Sequence, residues 1–327
     1  MSSLIPKRRF LATMAALGAA PLAFAQSATF PDRPIRMLVG YSAGGGTDIL
    51  ARFLAQKLSE NFGKPVFVEN KPGASGMTAT AVLTRAPADG YTVLVQIITP
   101  AVIGPLTQKN LPFDPVKDVQ PVGLIAKLPN VMIINTDIPA TTVKEFLAWV
   151  KARPGKVSYG SGGAGGITHL EGELLNKMAG TDMVHVPYKG AAPAILDLIA
   201  GRVQMVFDNV TGTSAHIKSG VVKALAVTTE QRVSTLPDVP TFAEAGLPQF
   251  THSSWISLFT RAGVPAPVLG KLEAELLKVV NYPDTVAKLR ELGAVHAPMN
   301  AAGLDAFWKS EFDFWRKAIT TTNFKID

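Results

Sequence analysis

The feature that most constrains this chain is a device used three times, in which a short β-branched run leads into glycines and then into an amphipathic run. It occurs at Gly44–Thr47, at Gly160–Thr168 and at Tyr188–Ala191. Around these points short β-branched runs alternate with longer runs of helical period, which predicts α/β layers with largely parallel strands. Ile35–Val39 reads as the first strand, followed by Gly44, Gly45 and Gly46, with Thr47 and Asp48 as candidate helix caps. Ile49, Leu50, Phe53, Leu54 and Leu58 share one side of the helix that follows, and Gly63 and Pro65 end it. Lys71–Gly76 reads as a loop. Further strands are expected at Val66–Val68, Tyr91–Val95, Val122–Ile125, Val131–Ile134, Val157–Tyr159, Met183–Val186, Val203–Phe207, Val222–Val227 and Ser254–Phe259. Helices are expected near 142–152, 168–178 and from Gly190 to Gly201, with three more after Pro240.

Each helix start presents unpaired backbone N–H groups and the positive end of a dipole, and glycine lets a ligand approach the backbone closely. One such turn needs no ligand to explain it. Three of them, at the carboxyl ends of strands in an α/β chain, favour an anion receptor. Asp208, after the strand ending at Phe207, either faces the cleft, where it would meet a ligand amino group or hydroxyl, or caps a helix beginning near Thr213.

Several motifs imitate other chemistry. Gly160, Gly162 and Gly165 spell a dinucleotide fingerprint, but the next strand ends in Pro187-Tyr188-Lys189, without the acid that would hold a ribose. A phosphate-binding G-x-x-x-x-G-K-[ST] loop does not occur, so no cofactor is expected. Gly40-Tyr41-Ser42-Ala43-Gly44 matches a nucleophile elbow around Ser42. An elbow needs a helix almost at once and an oxyanion donor from an earlier loop, and this strand is the first of the mature chain. His169 and Glu173 stand one helical turn apart, and the five histidines show no metal-binding spacing. Neither a catalytic nor a metal site is expected.

The N-terminus has the layout of an export signal: Lys7, Arg8 and Arg9, an apolar stretch to Phe24, and Ala23-Phe24-Ala25, which places cleavage after Ala25. That stretch is shorter than the roughly 20 residues a bilayer span needs, so a periplasmic protein is expected rather than an anchored one. The export route, Sec or twin-arginine, stays open. Loss of the signal removes three basic and no acidic residues, taking the net charge from +7 to +4. So small and scattered an excess excludes nucleic acid as a partner. With no cysteine, stability must come from a core, and 47% hydrophobic composition supplies one. The length exceeds what single cores usually reach, so two lobes are expected.

Ordered motifs along the mature chain resemble one family, the substrate-binding receptors of tripartite tricarboxylate transporters, or Bug receptors. They are Phe30-Pro31-Asp32-Arg33-Pro34-Ile35, the run Tyr41–Asp48, Val68-Glu69-Asn70-Lys71-Pro72-Gly73-Ala74, Ala88-Asp89-Gly90-Tyr91-Thr92 and Leu111–Pro115. Val186–Gly190, Pro237–Thr241 and Glu244-Ala245-Gly246 follow. The resemblance implies a type II periplasmic-binding-protein fold, with residues 26–125 plus 240–327 as one lobe and 126–239 as the other. It further implies that a small carboxylate is held between the lobes by backbone amides and waters. The matching positions are Tyr41, Ser42, Ala43, Gly44, Gly45, Gly46 and Thr47 on the first lobe, and Ser161, Gly166, Thr168, Tyr188, Lys189, Gly190 and Ala191 on the second. Ser42-Ala43 stands where the family often has Ala-Pro, and Gln96–Ala101 departs from the usual pattern, although Thr99 is still expected to reach the cleft. The implied role is capture by lobe closure and delivery to membrane subunits, with a monomer as the default. A sensor subunit for a kinase and, more remotely, a serine hydrolase using Ser42 are the alternatives.

Overall fold

The computed structural model describes residues 30–108 and 110–322; the export signal read at 1–25 lies outside them. The chain opens with β1 (Ile35–Val39), α1 (Gly46–Phe62), β2 (Val66–Asn70), α2 (Met77–Arg85), β3 (Thr92–Ile97), a short α3 (Gly104–Thr107) and β4 (Val119–Leu128). It continues through β5 (Asn130–Asn135), α4 (Val143–Lys151), β6 (Ser158–Ser161), α5 (Ile167–Ala179), β7 (Val184–Pro187), α6 (Ala191–Ile199), β8 (Met205–Asn209), α7 (Val210–Lys218) and β9 (Val222–Val227). It closes with β10 (Ser254–Arg261), α8 (Ala266–Val280), α9 (Pro283–Glu291), β11 (Val295–Met299) and α10 (Ala301–Thr322).

The strands form two sheets, ordered β11-β4-β10-β3-β1-β2 and β7-β6-β8-β5-β9. The expectation of largely parallel strands is corrected. Parallel pairs survive only among β1, β2 and β3, and among β6, β7 and β8. There a helix carries the chain back over the sheet, as parallel pairing requires. The strands that pass between the sheets run against their neighbours: β10 against β3 and β4, β11 against β4, and β5 against β8 and β9.

Each sheet is covered on both faces, so its strands alternate between two cores. On the first sheet Met37, Val39, Val93 and Val95 pack under α1 and α8 with Leu54 and Leu276, whereas Leu38 and Leu94 point to α2 and α10 with Leu83 and Trp308. On the second, Met132 and Phe207 pack toward α4, and Ile133 and Val206 toward α6. Phe242 and Phe250, beyond β9, stack with Phe207 in that second sheet's core. In α1 the face is built on Leu50, Ala51, Leu54, Ala55 and Leu58, with Ile49 and Phe53 only half-buried at its edge. Gly63 ends it in the left-handed conformation at φ 61°.

The C-terminal helix reaches back to the first sheet. Trp308 is buried, and its indole Nε1 donates to the Ala101 carbonyl at 2.9 Å. Glu311 accepts from the indoles of Trp255 and Trp315. The passage between sheets at Pro129 and at His252 is bound by one buried polar cluster. Asn130 donates to Glu171 at 2.6 Å, Asn209 donates to Asn130, and His252 meets the same Glu171 carboxylate.

Candidate functional site

Four strands, β1, β6, β7 and β8, each hand the chain to a helix. The starts of α1, α5 and α6 converge on a single cavity between the two sheets, lined by Gly45, Gly46 and Thr47, by Gly166, Ile167 and Thr168, and by Ala191. At each of these three helices the N-cap residue is a glycine, which supplies no side-chain cap to the first turn. By contrast α4 carries a full capping box, with Thr142 and Glu145 satisfying each other's backbone. Glycine at the cap positions of α1, α5 and α6 therefore leaves leading N–H groups of these helices available to something that enters the cavity, apart from the Ile167 N–H of α5, which donates to the Thr99 hydroxyl. No described residue lining it is Lys, Arg or His.

Of the residues anticipated from sequence, Tyr41, Gly45, Gly46, Thr47, Thr99, Gly166, Thr168, Ala191 and Asp208 line this cavity. Thr47 and Asp48 do not cap α1; the cap position is Gly45. Asp48 instead accepts from the Gly44 N–H at 3.0 Å, from Arg52 at 2.9 Å and from Asn70 at 2.8 Å, fixing the glycine turn to β2. Burial alone would raise its pKa, but these hydrogen bonds from Arg52, Gly44 and Asn70 outweigh it and hold the carboxyl below its ordinary value. Nor does Asp208 cap a helix near Thr213, because it lies within β8 and α7 already begins at Val210.

The other anticipated residues sit around the cavity rather than in its wall. Ser42 and Gly190 touch across the mouth, where the Ser42 N–H donates to the Lys189 carbonyl at 3.2 Å. Ser42 Oγ has no hydrogen-bond partner among the described residues. Ala43, Gly44 and Lys189 are exposed, and Lys189 and Tyr188 line an outer groove with Gly73 and Gln108. The Tyr188 hydroxyl donates to Asp197 at 2.8 Å, away from the cavity.

Ser161 supports the second turn from behind. Its hydroxyl meets His185 Nε2 at 2.6 Å, and the Gly165 N–H donates to Nδ1 of His169, whose ring stacks on His185 with centroids 3.6 Å apart. Burial lowers the His169 pKa to about 4; burial and the neighbouring His169 lower that of His185 to about 3. Both histidines are thus neutral in the fold but titrate near 6.5 when unfolded. Their contribution to stability is complete above about pH 6.5 and is lost progressively as pH falls through 6.5 toward 3–4. Thermal melts between pH 7 and 4 should show this loss, and His185→Gln, which cannot ionise, should lose less; equal slopes would refute the assignment.

Five lining residues were not anticipated: Ser75, Ile97, Gly162, Ile167 and Asn209. Ser75 is the most informative. It has a positive φ of 53° between Gly73 and Gly76, and its hydroxyl donates to the Ala164 carbonyl of the opposite sheet's turn at 2.6 Å. A side-chain-bearing residue rarely adopts that conformation, so the loop is shaped around this contact. Thr99 makes the equivalent bridge: its hydroxyl accepts from the Ile167 N–H, the first of α5, at 3.0 Å. Thr107 adds a hydrogen bond to the Gly165 carbonyl at 3.2 Å. With Ser42, these hydrogen bonds hold the two sheets' turns together over the cavity.

Glycines make this approach possible. A Cβ on Gly46 would lie 2.7 Å from Thr211 Oγ1 and 2.9 Å from the Gly212 nitrogen; one on Gly163 would lie 2.6 Å from Ser75 Oγ; one on Gly190, 2.7 Å from Ser42 Oγ. At each of these positions the residue met belongs to the opposite sheet's unit.

Comparison with known proteins agrees with this architecture. Residues 50–324 match the family described as "Tripartite tricarboxylate transporter family receptor". A curated relative from Pseudomonas sp. (strain P51), "UPF0065 protein in tcbD-tcbE intergenic region", is 37% identical over 323 residues, covering 96% of this chain and 94% of its own. The periplasmic binding protein BugD superposes with a TM-score of 0.87 at 35% identity, covering 90% of this chain and 99% of that one. The R. palustris protein Rpa4515, solved with adipate, gives 0.87 at 32% identity, covering 90% and 98%. Two sheets flanking a cavity of uncapped helix starts, together with a match along nearly the whole chain, make this protein a solute-binding member of the tripartite tricarboxylate transporter receptor family, the Bug proteins.

Proposed function

We propose that the cavity holds a small carboxylate, captured when two lobes close, and that the loaded protein delivers it to membrane subunits of a transporter outside the cytoplasm. One observation carries this reading: three helix N-termini from both sheets, each with glycine at its cap position, face one cavity in whose wall no described residue is cationic. Such a wall suits an anion bound by backbone N–H groups and dipole ends. The adipate bound by Rpa4515 is a ligand of the same class.

The lobes in this reading are divided by sheet. The first holds the described residues up to Leu128 and those from Ser254 onward, and the second holds Asn130 to about His252. This reading puts the crossovers near Leu128 and His252 rather than near Ile125 and Pro240; the run of β4 to Leu128 and the packing of Phe242 and Phe250 in the second sheet's core support it. The Asn130–Glu171–His252 cluster at the crossovers serves as the hinge bracket. Export requires removal of residues 1–25, and among the described residues no helix is long and apolar enough to cross a membrane. The protein acts as a monomer and without catalysis in this reading. Ser42 supports closure through its backbone, so Ser42→Ala retains ligand binding.

A thermal-shift screen of residues 26–327 against mono-, di- and tricarboxylates, amino acids and nicotinamide cofactors tests the function. A ligand at 100 times its Kd adds about 2.7 kcal/mol, a shift of several degrees for a chain of this size. Stabilisation by one class of carboxylate is expected. Stabilisation by a nicotinamide cofactor alone contradicts the proposal.

A further inference from the structure

We propose that Asp208 is the specificity-determining residue of the cleft and receives an ammonium group, so that the substrate is an amino carboxylate rather than a plain mono- or dicarboxylate. This inference rests on the carboxylate-receptor reading and adds the second pole of the ligand.

Asp208 ends the buried strand β8 and lines the cavity opposite the glycine turn of α1. It is 6% exposed, and its Oδ2 has no hydrogen-bond partner among the described residues. That oxygen lies over the bare Cα of Gly212, where a Cβ would sit 2.7 Å away, and the Gly46 nitrogen borders the same spot. The adjacent Thr211 hydroxyl is likewise buried without a partner. A carboxylate in such a place loses its hydration and normally regains it through a cation or several donors. Among the described residues no cation is supplied, and the Asn209 N–H is the donor that lowers its pKa. The first N–H of α7, that of Val210, is already given to the Pro129 carbonyl. Among the described residues, the side chains that line the cavity include no Lys, Arg or His.

The surroundings favour a charged donor over a neutral one. Burial raises the Asp208 carboxyl to about 7, with the Asn209 N–H pulling it partly back and the charge of Glu171 on α5 pushing it further up. Glu171 is itself engaged by Asn130 and His252. Tyr41, facing from the turn after β1, has a phenol that burial keeps protonated, and Asp48 on α1 is tied to Arg52. A ligand hydroxyl would donate a hydrogen bond but leave the negative charge in place. An ammonium would do both, while the same ligand's carboxylate takes the helix N-termini. With the cleft closed as here, Asp208 carries a proton below pH 7 that an ammonium must displace, so affinity of the closed site for an amino acid rises with pH up to about 7–8. Affinity for an acid that lacks the ammonium does not rise.

Calorimetry with two matched series decides the matter: propionate, lactate and alanine; succinate, malate and aspartate. Each is titrated at pH 6 and pH 8 into residues 26–327 and into Asp208→Asn. In the series whose length fits, the amino member should bind roughly 10- to 100-fold tighter than its counterparts, as a charge-assisted hydrogen bond implies. It should also bind tighter at pH 8 than at pH 6. Asp208→Asn should lose both the preference and the pH dependence yet keep binding the unsubstituted acid, which shows that it folds. A tighter hydroxy or unsubstituted acid, or a preference that survives Asp208→Asn, overturns the inference and leaves the receptor intact. Failure of all six acids, with no carboxylate active in the wider screen, overturns the receptor reading itself.

Discussion

Replacing Gly46 by alanine should weaken ligand binding roughly 10- to 100-fold while leaving the free protein as stable as before, or slightly more so. Gly46 opens α1 with helical geometry, so alanine fits its backbone and improves its helix propensity. The new methyl meets the other lobe, 2.7 Å from Thr211 Oγ1 and 2.9 Å from the Gly212 nitrogen. The second contact is backbone, which cannot rotate aside. Overpacking of this kind costs about 1–3 kcal/mol, and here the cost falls on the closed state alone. Calorimetry gives the affinity, and scattering at saturating ligand separates a closure defect from a lost ligand contact. A Gly46→Ala protein that still compacts fully when saturated would show that the close approach is not what limits binding.

The second large effect is expected far from the ligand. Trp308→Ala should cost about 3–5 kcal/mol of stability, the range for removing a fully buried aromatic ring. Trp308 packs edge-on against Phe259 and donates to the Ala101 carbonyl, which lies in the π-helical turn Thr99–Ile103. Because Thr99 starts that turn and bridges to α5, the variant should also bind ligand more weakly. Trp308→Phe keeps most of the ring contacts and loses the hydrogen bond, so about 1 kcal/mol is expected. Denaturant melts compare the three proteins; an alanine variant within 1 kcal/mol of the parent would mean that the tail is not built into the first lobe's core.

Much of the fold was legible because its signals are local. The apolar runs at Ile35–Val39 and Val222–Val227 are the strands that the structure contains, and Gly63 stops α1 as its position suggests. What was not legible falls into two kinds. Strand direction is not written in periodicity, so the antiparallel insertion of β10 between β3 and β4 went unread. Two elements have weak local signals: α2, rich in Thr and Ala, and β11, a half-buried edge strand with a proline in it.

The site divides in the same way. The glycine turns of α1, α5 and α6 announced the cavity, because an uncapped helix start has a sequence signature. Ser75 gave a weaker one, a lone serine amid Gly73, Ala74 and Gly76, and its meaning depends on a carbonyl 89 residues away. Asn209 and Ile97 had none, since an ordinary strand residue becomes part of a site only through what stands opposite it. Lys189, expected from the resemblance among the positions around the ligand, is exposed along the outer groove with Tyr188.

The central claim is that two lobes close on a carboxylate held by helix N-termini. Small-angle scattering of residues 26–327, refolded to strip any co-purified ligand and then measured with and without the carboxylate identified by the thermal screen, tests it most directly. The account predicts a smaller radius of gyration and a shorter maximum dimension with ligand, matching the closed form held by Ser42, Ser75, Thr99 and Thr107. An unchanged profile at saturation would contradict capture by closure.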